Sequence, residues 1–199
     1  MALAVGAGVL ALLLSAFFTA LSMAAGGPAT ASPPGSGLGE IAAEAAFLPR
    51  LLHTWFAAFA TGGVVLMMVG RRAFRWKGGA SLSVGARLIR AGALWALLAS
   101  VLQAAAGIWY LRALPVGFRD AILGGDPGLT VAFAIAAVGF LALVETLVSV
   151  LHWRGGAPRA AAFAAAFVVL ITFSLTSARA RMVQLQNLPG GAPTAEFRR

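Results

Sequence analysis

The chain holds two histidines, His53 and His152, and no cysteine. His53 lies in "LLHTWFAAFATGGVVLMMVGRR", residues 51–72, one turn after Arg50 and almost a full helix ahead of Arg71 and Arg72. On a helix, His53, Ala57, Thr61 and Val64 share one face. The small Ala57, with Gly62 or Gly63, leaves room for a flat macrocycle to approach the backbone. A neutral imidazole is a common axial ligand of haem iron. Arg50, Arg112 and Arg119 are candidates to hold propionates, because a guanidinium offers a planar fork to a carboxylate. The alternative is a histidine hydrogen-bonded to a neighbouring helix.

Two more polar faces have helical spacing. Gln103, Gly107 and Tyr110 recur at i, i+4 and i+7. They form a narrow strip suited to a quinone or a haem edge, or a hydrogen-bond seam between helices. Glu145, Ser149 and His152 have the same spacing. That face fits a proton path or a quinone headgroup, or a structural face salt-bridged to Arg90 or Arg154. At 1.5 Å per residue the two histidines belong at opposite membrane faces, about 25–30 Å apart. They cannot share one haem within a protomer, so a haem on His53 needs another sixth ligand, with Met23 and Met182 as candidates. Two histidines without cysteine make a dedicated zinc or copper site implausible. No Ser/His/Asp set and no glycine-rich phosphate loop is present, so a stand-alone enzyme is not expected.

The elements that must position these residues are membrane helices. Of 199 residues, 60% are hydrophobic and 11% charged, against about 25% charged in a soluble domain. Mean hydropathy is +0.90. Five spans can be drawn, at about 2–25, 50–70, 88–112, 129–153 and 158–178, each near the ~20 residues that cross a bilayer. The expected fold is all-α, a single membrane domain over 1–199, with four spans if the first is a cleaved signal. A Pro/Gly/Ser loop covers 26–40, and 41–50 reads as a short helix on the membrane surface. The last helix continues through "ARARMVQLQN" until Pro189 and Gly190.

The net charge of +9 comes from arginines between apolar runs, which reads as topology rather than nucleic-acid binding. Arg71, Arg72, Arg75, Lys77, Arg87 and Arg90 crowd one loop without an acid. The positive-inside rule makes that loop and the N-terminus cytoplasmic and puts His53 near the outer face of the inner (cytoplasmic) membrane. It also puts the tail, 179–199, outside with Arg179, Arg181, Arg198 and Arg199. That conflicts with the rule unless an acidic partner holds the tail.

The 51–72 stretch resembles the histidine-bearing helix of cytochrome bd quinol oxidase subunit I. Both run Leu-His-Thr, small residues, Thr-Gly, aliphatics and a basic end. The likeness continues through "SVLQAAAGIWYLRALPVGFRDAILGGDPG", with a Leu-Gln-x-x-x-Gly helix and an acidic, glycine-ended turn, and so covers residues 50–128. The resemblance implies that His53 is an axial ligand of a low-spin haem b near the outer face, beside a quinol site. The departures are large. "TVAFAIAAVGF" carries no methionine where the family places its sixth ligand, the first span has no histidine, and Glu145 is the only acid well inside a span. Oxygen reduction is therefore not expected. The expected function is a non-catalytic or quinol-oxidising subunit of a respiratory electron-transfer complex. It passes electrons between quinol and an outer partner such as a c-type cytochrome. The alternative is a haem-free structural membrane anchor.

Overall fold

The computed structural model describes residues 44–74, 79–152 and 157–186. They form α1 (Phe47–Phe74), α2 (Gly79–Ala113), the short α3 (Val116–Asp120), a π-helical turn (Ala121–Gly125), α4 (Pro127–His152) and α5 (Ala157–Gln186). No strand occurs among the described residues. Four helices are long and apolar enough to cross a membrane: Phe47–Ala73, Leu82–Ala113, Pro127–His152 and Arg159–Gln184. They coincide with the second to fifth expected spans. The first expected span and the 26–40 loop lie outside the described residues.

Helix ends follow local chemistry. A turn at 44–46 leads directly into α1, where Phe47 N–H donates to Glu44 O at 3.0 Å. Within the described residues, 47–50 belong to the spanning helix and not to a separate surface helix. Pro49 is tolerated because the first turn has no intrahelical use for its missing N–H. Pro115 disfavours helical backbone at the residue before it, and α2 ends at Ala113. Asp126 adopts extended backbone as the N-cap of α4, and its Oδ1 accepts from Leu129 N–H at 2.9 Å. Pro127 then starts the helix where a fixed φ suits it. Gly124 has φ of 143°, a conformation that a side chain resists, and it breaks the π-helical turn before the cap.

Contacts group the chain into two compact units. One holds residues 56–102 and 131–178. Its core is Val64 and Met67 of α1, Ile89, Ala93 and Ala96 of α2, Leu143, Leu147 and Val150 of α4, and Ala161 and Ala164 of α5. Small residues let backbones approach, as expected where association in lipid depends on close packing. A Cβ on Gly63 would lie 2.6 Å from Ala96 N and 2.7 Å from Gly92 O, and one on Gly92 would lie 2.5 Å from Gly63 O. Ser174 Oγ donates to Ala132 O at 3.1 Å, tying α5 to α4. The outward face carries large apolar side chains, with Phe173 72%, Val138 67% and Leu141 66% exposed. Such a surface is stable only against lipid or protein.

The other unit comprises, among the described residues, 44–55, 103–130 and 179–186. Leu114 and Ile122 are buried at its centre, with Tyr110, Leu111, Phe118 and Met182 packed on them.

Candidate functional site

In that second unit α1 places His53 against α2. Its Nδ1 lies 3.0 Å from the main-chain oxygen of Gln103. A carbonyl only accepts, so Nδ1 carries the hydrogen and donates. The neutral ring then keeps its lone pair on Nε2, which has no hydrogen-bond partner among the described residues. This is the arrangement in which histidine ligates a metal, since a carbonyl on the second ring nitrogen fixes tautomer and orientation. Gly107 lies one turn beyond Gln103. A Cβ there would fall 3.0 Å from His53 Nδ1 and 3.1 Å from Cε1, so the ring sits in the space that this glycine leaves.

Tyr110 continues the same face of α2. It is half-buried on the Leu114–Ile122 cluster, with Arg50 and Arg179 within electrostatic range. The strip of Gln103, Gly107 and Tyr110 thus meets His53 through its first two members. Gln103 contributes its backbone, and its side-chain amide has no partner among the described residues.

Asp126 and Arg181 are neighbours that the sequence reading did not pair. Arg181 Nη2 donates to Asp126 Oδ2 at 3.3 Å, while the other carboxylate oxygen caps α4. The Leu129 N–H, and next the Arg181 guanidinium, hold the Asp126 carboxyl below its usual pKa against the opposing effect of burial. An acid in the α3–α4 connection therefore meets one of the tail arginines that conflict with the positive-inside rule. The available signal was "GGDPG", an aspartate ahead of a helix-starting proline. Arg179, near Tyr110, was likewise not among the arginines expected at the site.

The remaining expected residues are distributed as follows. Arg50 and Arg119 are half-buried and Arg112 is exposed. Met182 is half-buried in the Leu114–Ile122 cluster, and Met23 is outside the described residues. Ala57 and Thr61 belong to the other unit, where Thr61 Oγ1 donates to Ala57 O at 2.9 Å. Gly63 does not offer an open face for a macrocycle, because α2 fills it, whereas nothing lies within 4 Å of a Cβ placed on Gly62. Val64 is buried in the helix core and does not extend the exposed Thr61 face. His152 is exposed with Nδ1 3.1 Å from Val148 O, and it falls in the other unit from His53. Arg90 makes no ion pair with Glu145 among the described residues, and Arg154 lies outside them.

Fold and surface together define an all-α, multi-pass membrane helical bundle in contact with lipid. No family model, curated protein or solved structure matches the chain.

Proposed function

We propose that this protein is a haem b-binding membrane subunit of a respiratory electron-transfer complex, in which His53 Nε2 would hold the iron. The observation that carries the reading is the Nδ1–H bond to the Gln103 carbonyl, which leaves Nε2 as the free lone pair. A bound haem b would supply one-electron redox chemistry. The chain's own part is to fix the imidazole through Gln103 O and Gly107, and to raise the ligand's basicity through that hydrogen bond. Arg50 and Arg179, within electrostatic range of Tyr110, are the cations best placed to balance propionate charge. Electrons pass between membrane quinol and an outer partner such as a c-type cytochrome. This part rests on the likeness to cytochrome bd subunit I and on the arginine-rich 71–90 segment, which orients the chain with its N-terminus inside an inner membrane. A pyridine haemochrome assay tests the reading. Purified protein should give a b-type spectrum that His53→Ala removes. A protein without a Soret band, or a b spectrum that survives His53→Ala, overturns it.

A second reading draws on the same bond. His53 to Gln103 O is also a sufficient interhelical tie for a haem-free anchor subunit. In that case His53→Ala lowers thermal stability and leaves the redox spectrum of the assembled complex unchanged.

A further inference from the structure

A groove of about 350 Å³ runs between α4 and α5. Glu145, Thr146 and Ser149 line it from α4, and Arg159, Phe163 and Phe167 line it from α5. Thr146 Oγ1 is occupied in donating to Ala142 O at 2.7 Å. Glu145, Ser149 and Arg159 make no hydrogen bond or ion pair among the described residues. All three line one groove, between helices of membrane-spanning length. Arg159 opens its span, whereas Glu145 lies inside its own, where an ionisable group is costly to leave without a partner and marks a functional site.

The depths of these groups select the ligand. Arg159 is two residues inside the start of α5, whereas Glu145 is seven residues before the end of α4. At 1.5 Å per residue, the guanidinium belongs roughly 3 Å from its helix end and the carboxyl roughly 10 Å from its own. A phospholipid phosphate held by Arg159 would send the rest of its headgroup outward and leave Glu145 against acyl chains. An anion reaching deeper would meet the Glu145 carboxylate. A neutral, flat headgroup with two opposed oxygens meets both requirements. One oxygen accepts from Arg159; the other, as a quinone carbonyl, accepts from Ser149 and a protonated Glu145, and, as a quinol hydroxyl, donates to an ionised Glu145. Phe163 and Phe167, one turn apart, give the ring and its apolar tail aromatic surface.

We infer that this groove binds the headgroup of a membrane-soluble para-quinone. The inference needs no haem, so a haemochrome-negative protein still tests it.

The test is photolabelling of the full chain in phosphatidylcholine nanodiscs with an azido-benzoquinone, followed by peptide mapping. Label should fall between residues 142 and 167, and excess unlabelled decyl-benzoquinone should remove it. Arg159→Gln should weaken subsaturating labelling about tenfold, the loss expected of one charge-assisted hydrogen bond. Ser149→Ala should weaken it less, and circular dichroism should report unchanged helix content in both. Label elsewhere in the chain, label that quinone does not displace, or wild-type labelling in both variants overturns the inference. Displacement by phosphatidylethanolamine but not by quinone overturns it in favour of a phospholipid occupant.

Discussion

At the scale of residues, the donor and acceptor around His53 come from different parts of their side chains and backbones than residue type suggests. The acceptor is a main-chain oxygen, so the identity of residue 103 is not what holds the ring. Gln103→Leu should therefore leave haem content and spectrum at wild-type levels. Gly107→Ala should not, because its Cβ would press on Nδ1 and Cε1 at 3.0 and 3.1 Å. If haem is bound through Nε2, losing this outer support should cost roughly tenfold or more in haem affinity, read by titrating apoprotein with haem. A Gln103→Leu protein that loses its haem while Gly107→Ala keeps it would contradict this geometry. Residue identity and spacing pointed to the strip of Gln103, Gly107 and Tyr110. They could not show that one member acts through its backbone and another through lacking a side chain, since both depend on how α1 is rotated against α2.

Helices meet here with very different tolerances on adjacent glycines. Gly62 and Gly63 are neighbours, yet only Gly63 faces another backbone. Gly92→Ala should destabilise the protein by about 1–3 kcal/mol through overpacking, seen as a lower Tm in detergent. Gly62→Ala, with open space around it, should be neutral or gain up to ~1 kcal/mol from helix propensity. The start of α4 adds a pH dependence. A carboxylate whose folded pKa is depressed stabilises the fold above its unfolded value, and that stabilisation fades as pH falls through the folded pKa. For Asp126 the loss should begin near the usual aspartate value of 3.8 and continue below it. Asp126→Asn keeps a competent cap but loses the pair with Arg181. Its Tm should fall less than that of wild type over this acid range, and Asp126→Ala should lie below both at neutral pH. Equal acid sensitivity in wild type and Asp126→Asn would show that the ionised carboxylate adds nothing through either the Leu129 N–H or Arg181.

The whole molecule is a bundle whose outward apolar residues require lipid, and its orientation is open to direct measurement. Lys77 belongs to the basic segment, and the exposed Asp120 lies between α2 and α4. The chain has no native cysteine, so Lys77→Cys and Asp120→Cys give single labelling sites without background. The positive-inside reading predicts that an impermeant maleimide labels residue 120 in intact cells, and residue 77 only after permeabilisation. The reverse pattern would move His53 to the cytoplasmic side and remove the outer electron partner from the proposal.

The sequence by itself determined that the described chain is helical and where its segments of membrane-spanning length lie. Hydropathy, helical period and proline or glycine stops are local properties, summed over neighbours along the chain. Tertiary structure alone decided which of two adjacent glycines carries a helix contact, and which nitrogen of His53 is tied and which is free. It also decided that Arg181 finds its acid 55 positions away in Asp126. Each of these depends on the rotation and approach of two helices, and a pattern within one helix contains neither.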